Sequence, residues 1–407
     1  MKNRVKYHSY PSNENEIKKS YDWAHIYGGA PVPPIAIGSF NYLIWDILKI
    51  NNHIAFLKYY KKSFENIKEC KSTIIQIDFD KKKNFIDRVK TKFFNKDHLP
   101  TQIRSFLNLV TKKINSIEVK NIMLWGDYRY ISYLRKRFPN KRIVYALRFF
   151  QEENIISSVH YNYLDDLVVL SKGIARHNFN RFFKLNPIIH IIPNGIETNI
   201  FKPISDEKKA SIKKNFKIEK DKFIIFFPSK LENRRGVNYL IRWSEYFLKA
   251  NENIIFICYR NKTLQSTVKN KINQQGQNII FIENLPRKQT PKLYQISDIC
   301  ILPTTAIEGM SMSALEAMSS ALPCVVSKRG IYHELIKHNE TGLLCDLDNM
   351  YLQGIKHIER LYKDNTLRNK LGENARVFCK NNLSRDKCLN NWNLFFESKY
   401  DEINSTF

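Results

Sequence analysis

At 407 residues, with 43% hydrophobic and 13% aromatic residues, the chain has the composition of a folded protein and exceeds one comfortable hydrophobic core, so two domains are expected. Its apolar runs, such as Ile188–Pro193 and Ile299–Pro303, fall far short of the roughly 18 residues of a membrane span. The formal charge of +27 reflects 33 basic and 17 acidic residues in 1–200 against 33 and 22 in 201–407; such an excess suits a polyanionic neighbour, whether nucleic acid, an anionic membrane face or a phosphorylated substrate, although a lysine-rich coding bias would produce it without function.

The start, MKNRVKYHSYPSNENE, is basic but lacks the apolar stretch of a secretion signal, so a cytoplasmic protein is expected. The first forty residues are irregular in pattern, and Gly and Pro punctuate Tyr27–Pro34. Tyr42, Leu43, Trp45, Ile47 and Leu48 fit a buried helix, and Thr73–Phe79 is a β-branched strand candidate. Phe85, Ile86, Val89 and Phe93 share one side of a basic helix flanked by Lys82, Arg88, Lys92 and Lys96. A further helix is marked by Ile103, Phe106, Leu107, Val110 and Ile114. Strands follow at Asn121–Trp125, Arg142–Leu147, Leu167–Leu170 and Ile188–Ile192. After Pro203, Ser205–Glu219 reads as linker and surface helix. The alternation then restarts, with strands at Phe223–Phe227, Ile254–Cys258, Ile279–Ile282, Ile299–Leu302, Pro323–Ser327 and Gly342–Cys345. Two runs of alternating strands and helices predict two doubly wound α/β domains joined near residue 200. Cys70, Cys258, Cys300, Cys324, Cys345, Cys379 and Cys388 show no zinc or redox spacing and read as inert thiols in a reducing compartment.

The chemistry concentrates in three segments. Ala306–Met318 follows the strand Ile299–Leu302, and ligands of open α/β sheets bind just past the carboxyl ends of strands. Here Glu308 and Glu316 are eight residues apart, one in a loop and one in a helix starting near Ser311. Each carboxylate can accept from vicinal hydroxyls of a different sugar ring, and the helix start favours a diphosphate. In the bland alternative both are surface acids, although Leu315, Ala317 and Met318 bracket Glu316 with apolar side chains. The second segment, Phe226–Gly236, runs from a strand into a loop carrying Lys230, Arg234 and Arg235; such cations can neutralise a leaving diphosphate, or merely decorate a surface. The third, Ile192–Glu197, is a turn signal containing Asn194 and Gly195. Gly28–Gly29 could cradle phosphate but lacks the full dinucleotide glycine spacing.

Together these motifs resemble those of the retaining nucleotide-sugar glycosyltransferases of the GT-B fold, specifically glycosyltransferase family 4, over about residues 165–385. The carriers are the pair Glu308 and Glu316, Ser229–Lys230–Leu231 with Arg235–Gly236, Pro193–Glu197 with Phe201 and Pro203, Ser297–Pro303 and Gly330–Glu334. The resemblance implies two Rossmann-like domains facing a central cleft. Residues 1–200, completed by a helix over about 385–407, would form the acceptor side, and 201–384 would bind the nucleotide sugar. It also implies that Glu308 contacts the donor sugar, that Glu316 holds the ribose, and that Lys230 and Arg235 hold the diphosphate. Gly309, Met310 and Ser311 would lie over the sugar and phosphates, with Gly28, Gly29 and Asn194 completing the donor site. Arg148 stands where many members carry a histidine, and Ala321 stands where a glycine is usual; Tyr27, Asp127, Tyr145 and Arg148 are the expected acceptor lining.

The implied reaction is hexose transfer with retained α configuration, to a glycan or lipid-linked acceptor, in polysaccharide, lipopolysaccharide or capsule synthesis. No metal or other cofactor is expected, because basic side chains can neutralise the leaving group, and Asp78–Phe79–Asp80 lies in the wrong half for a metal motif. The basic helix near Lys81–Lys96 suits a lipid-linked diphosphate at the anionic inner face of the membrane. Nucleic acid is not an expected partner, since RNA motifs, finger spacings and a recognition helix are missing from the sequence. An inactive GT-B partner subunit is the alternative, and the retained acids and bases argue against it.

Overall fold

The structure, a computed structural model, describes residues 7–10, 18–28, 39–58, 70–77, 99–148, 158–176, 187–250, 252–259, 278–283 and 285–398. Gly29, the aspartates of Asp78–Phe79–Asp80 and the basic segment Lys81–Lys96 lie outside the described residues. The chain separates into two compact units, residues 1–192 with 389–406 and residues 193–388.

Among the described residues, the first unit contains an eight-stranded sheet built from β1 (Tyr7–Tyr10), β2 (Ser20–Tyr27), β3 (Ile54–Lys58), β4 (Thr73–Ile77), β5 (Glu118–Trp125), β6 (Arg142–Leu147), β7 (Asp166–Val169) and β8 (Ile188–Ile191), in the order β1-β4-β3-β2-β5-β6-β7-β8. Every neighbouring pair is parallel except β1 with β4. Helices α1 (Ser39–Ile50), α2 (Thr101–Asn115) and α3 (Tyr130–Arg135) flank it. β2 corrects the expectation that the first forty residues are irregular: Ser20–Tyr27 is a central strand. Asp22 and His25 disguise it, because His25 is fully buried within an otherwise apolar stretch containing Trp23, Ala24 and Ile26.

The partners of His25 explain how a central strand tolerates it. Trp125 Nε1 donates to His25 Nδ1 at 3.0 Å, and His25 Nε2 lies 2.8 Å from His53 Nδ1. A donor on Nδ1 leaves the His25 proton on Nε2, so both rings are neutral in this arrangement. Phe396 packs edge-on against both histidines, and Trp392 lies 5.1 Å from Trp125. Asp166 accepts from Arg142 at 2.6 and 2.7 Å and pairs with His190 at 2.8 Å, linking β6, β7 and β8, and Arg142 lies 5.6 Å from the Trp23 ring.

These histidines make the unit acid-sensitive. Burial lowers both below the ordinary value; for His53 the value falls to about 4, although Asp22 opposes the shift, and His53 also presses His25 down. The unfolded chain therefore takes up protons first as pH falls below 6.5, the ordinary histidine value. Their contribution is complete above that pH and declines toward about pH 4. At about 1.4 kcal/mol per pH unit, His53 alone contributes about 3 kcal/mol to the loss. Urea unfolding at a series of pH values, read from tryptophan fluorescence, is expected to show this slope, and His53→Gln is expected to flatten it.

Among the described residues, the second unit holds six parallel strands: β9 (Phe223–Phe227), β10 (Ile254–Tyr259), β11 (Ile279–Ile282), β12 (Ile299–Leu302), β13 (Cys324–Ser327) and β14 (Gly342–Cys345), ordered β11-β10-β9-β12-β13-β14. Flanking helices are α4 (Asp206–Asn215), α5 (Val237–Ala250), α6 (Thr290–Ile296), α7 (Met312–Ser319), α8 (Tyr332–Leu335), α9 (Met350–Lys363) and α10 (Asn365–Asn382). The final helix, α11 (Arg385–Phe396), contributes its residues from Leu389 onward to the first unit.

Strand residues of this sheet divide by alternation. Ile224, Phe226, Ile255, Ile257, Cys300 and Leu302 share one core with residues of α6, α7 and α10. Phe223, Ile225, Phe227, Phe256, Cys258 and Ile301 share the other core with residues of α5 and α9. A strand buried on both faces reads as a continuous apolar run, as FIIFF does. The seven cysteines are free thiols, all but Cys70 buried, and no described helix is long and apolar enough to cross a membrane.

Candidate functional site

In the second unit, strand order runs outward from β9 through β10 to β11 in one direction and from β12 through β13 to β14 in the other. The adjacent strands β9 and β12 therefore form the topological switch point, whose carboxyl edge is the usual ligand position in open α/β sheets. Both charged segments leave the sheet there. The loop after β9 carries Lys230, Arg234 and Arg235; the loop after β12 carries Glu308 to Ser311 and enters α7.

These two loops are joined through main chain. The Arg234 carbonyl accepts from Thr305 N at 3.0 Å, Ala306 N at 3.2 Å and Thr304 Oγ1 at 2.8 Å. Gly236 has a φ of +82°, and a Cβ there would come 1.9 Å from the Pro303 carbonyl oxygen. Glycine is required by both the left-handed backbone and the contact.

Arg235 forms an ion pair with Glu308, the side chains being 30% and 12% exposed. Burial, then the neighbouring Arg234, pulls the Arg235 guanidinium below its ordinary value. The Tyr332 hydroxyl donates to Ser311 Oγ at 3.0 Å and lies 3.4 Å from Glu308 Oε2. The loop after β13 thus closes the third side: Ile331 N donates to the Glu308 carbonyl at 3.2 Å. Ser311 is the N-cap of α7, its Oγ accepting from Ala314 N at 3.4 Å. Gly309 is buried, Met310 half-buried, and Asn194 Nδ2 lies 3.7 Å from Met312 Sδ at the same helix start. Arg235, Glu308, Met310, Ser311 and Asn194 are therefore gathered around neighbouring loops or the start of α7. Lys230 is exposed at the same strand end.

Glu316 sits one turn into α7 and is buried, with 4% exposure. Arg287 Nη2 lies 2.6 Å from its Oε1, and the Tyr294 hydroxyl donates to its Oε2 at 2.7 Å. Burial raises the Glu316 carboxyl above its ordinary value, while Arg287 and Tyr294 oppose the rise. Neither partner emerges from the sequence reading. Arg287 follows Pro286 in a short basic stretch, and Tyr294 belongs to the apolar face of α6. Tyr332 lies within the GIYHE segment, but nothing local marks its hydroxyl as a site group.

The first unit has its own switch point, between β2 and β5. Gly28 is buried just past β2. Gly126 just past β5 has a φ of +93° and lies against the Tyr27 ring. Tyr145 donates to the Gly126 carbonyl at 2.9 Å, and Asp127 pairs with Arg129 at 2.6 Å. Arg148 Nη1 donates to the Ile192 carbonyl at 3.4 Å, its guanidinium lying 5.9 Å from the Trp392 ring. Among the described residues, no group of three or more His, Cys, Asp or Glu is placed to hold a metal ion.

The family model described as Glycosyl transferases group 1 matches residues 208–378. A Bacillus subtilis (strain 168) protein named as a glycosyltransferase, YtcC, is 23% identical over 295 residues, covering 69% of this chain and 72% of that protein. Among solved structures, Anabaena HepE in complex with UDP superposes with a TM-score of 0.72 at 15% identity, covering 93% of this chain and 100% of that one. A glycosyltransferase from Rickettsia africae ESF-5 superposes equally well, with a TM-score of 0.72 at 17% identity, over 96% and 100% of the two chains. The likeness to these structures gives the fold, GT-B, and the family match assigns the segment 208–378 to Glycosyl transferases group 1. More particularly, the activity these matches support is that of a nucleotide-sugar glycosyltransferase.

Proposed function

We propose that the second unit binds the donor at the β9/β12 switch point and that the enzyme transfers its hexose with retained configuration to a glycan or lipid-linked acceptor. The observation that carries this reading is the meeting of Arg235 and Glu308 from two strand-end loops that share the Arg234 carbonyl. In this reading Arg235, with Lys230, faces the diphosphate and offsets the negative charge that grows as it departs. Glu308 aligns the sugar hydroxyls as a positioning group, a sufficient role without nucleophilic attack. The backbone N–H groups of Gly309–Ser311 and the start of α7 add positive potential at the phosphates.

Glu316 takes the ribose hydroxyls, and Asn194 lies beside the same helix start. Donor handling belongs to 193–388 and acceptor handling to the first unit, where Gly28, Tyr27, Asp127 and Tyr145 mark the second switch point. A uridine diphosphate sugar is the first donor to try, because HepE has been solved with UDP-glucose. The net charge of +27 supports a phosphorylated acceptor, such as a lipid-linked sugar diphosphate at an anionic membrane face, in surface polysaccharide synthesis.

A screen of nucleotide sugars for a saturable rise in melting temperature tests the reading, since a ligand that binds only the folded chain stabilises it by mass action. One donor is expected to give a clear shift. Glu316→Ala is expected to weaken its binding by about tenfold or more, in line with the roughly 1.5–3 kcal/mol of a charged hydrogen bond, while leaving the chain folded. Unchanged donor affinity in Glu316→Ala would overturn the ribose assignment.

A further inference from the structure

We propose that Arg287 and Tyr294 are positioning residues for the nucleoside half of the donor, holding the Glu316 carboxylate charged and in one orientation to receive the ribose hydroxyls. The inference rests on the donor-site reading and extends it to two residues outside the motif that contains Glu316. Its basis is geometric. Arg287 approaches one carboxylate oxygen at 2.6 Å and the Tyr294 hydroxyl approaches the other at 2.7 Å. An ionised carboxylate offers about four acceptor sites, so one partner on each oxygen fixes its plane and leaves capacity for two hydroxyls.

The two holders are themselves fixed. Tyr294 is buried on α6 and packs edge-on against Phe226, 5.0 Å between centroids, and Phe201, 5.8 Å. The Arg287 guanidinium also lies 5.4 Å from the Phe201 ring. Burial without Arg287 would favour the neutral acid, which carries a proton where a ribose hydroxyl should donate.

The other titratable groups facing Glu316 are poorly placed to imitate its titration. From β10, Tyr259 is pushed up to about 12, chiefly by burial. From α6, Tyr294 is raised well above its ordinary value, and from β12, Cys300 is raised as well, burial being the main cause in both. A new pH dependence that appears on loss of Arg287 therefore reports on Glu316.

The test is calorimetric. Wild-type chain is titrated with UDP, GDP and ADP, and the tightest binder is then titrated into Arg287→Met, Arg287→Lys and Tyr294→Phe between about pH 6.5 and 9. Arg287→Met is expected to bind about tenfold or more weakly than wild type near pH 7. It should recover as pH rises, by up to about tenfold per unit while Glu316 deprotonates, with the wild-type titration correcting for ionisation of the nucleotide. Arg287→Lys should restore most of the affinity, and Tyr294→Phe should shift in the same direction as Arg287→Met. A Met variant that binds like wild type, or is weakened equally at every pH, overturns the positioning role while nucleotide binding stands. Failure of wild type to bind any of the three diphosphates overturns both readings. If Arg287→Met does not fold, the near-isosteric Tyr294→Phe decides by the same pH dependence.

Discussion

Replacing Arg235 with methionine is expected to lower kcat/KM for sugar transfer by a hundredfold or more, equivalent to about 3 kcal/mol of lost transition-state stabilisation. The side chain is partly shielded from water, paired with Glu308, and supplied by the loop that leaves β9 at the switch point. A charge in that setting acts on the departing diphosphate with less screening than one on an open surface. Its planar guanidinium can also grip two phosphate oxygens at once, which lysine cannot reproduce. Arg235→Lys should therefore recover only part of the rate. Steady-state assays of nucleoside diphosphate release measure the effect, and circular dichroism checks the fold. A Met variant within about threefold of wild-type kcat/KM would remove Arg235 from the reaction.

The second large effect is expected at Gly236. Alanine there must adopt a φ of +82° while its Cβ meets the Pro303 carbonyl oxygen at 1.9 Å and the carbonyl carbon at 2.6 Å. The left-handed backbone costs about 1–2 kcal/mol and overpacking typically about 1–3 kcal/mol. Gly236→Ala should therefore destabilise the second unit by about 2–5 kcal/mol, and the displaced loops should impair activity in whatever chain remains folded. Denaturant titration is the measurement. A loss below about 1 kcal/mol would mean that the loops yield easily and are not a rigid frame.

Much of the second unit was legible in its sequence because its strands are buried on both faces. Phe223–Phe227, Ile279–Ile282 and Ile299–Leu302 appear as apolar runs with the bounds of the strands they form. The start of α7 was legible too, since Ser311 is a capping residue ahead of a helical stretch. β2 was hidden because its polarity conceals a buried hydrogen-bond chain: His25 finds Trp125 and His53 only after three strands have been assembled. Arg287 and Tyr294 were hidden for a related reason. Their relation to Glu316 arises from the packing of α6 beside α7, not from local spacing. The approach of Glu308 to Arg235 likewise depends on β9 becoming the neighbour of β12, a topological fact that local periodicity cannot supply.

The Arg234 carbonyl, with its donors from Thr304, Thr305 and Ala306, also limits how this enzyme could be re-engineered. A graft that changes the backbone path after β9 would move that carbonyl away from its donors, while a graft that changes the path after β12 would do the reverse. Residues 228–237 and 303–311 are thus a single transplantable cassette, to be exchanged as a matched pair.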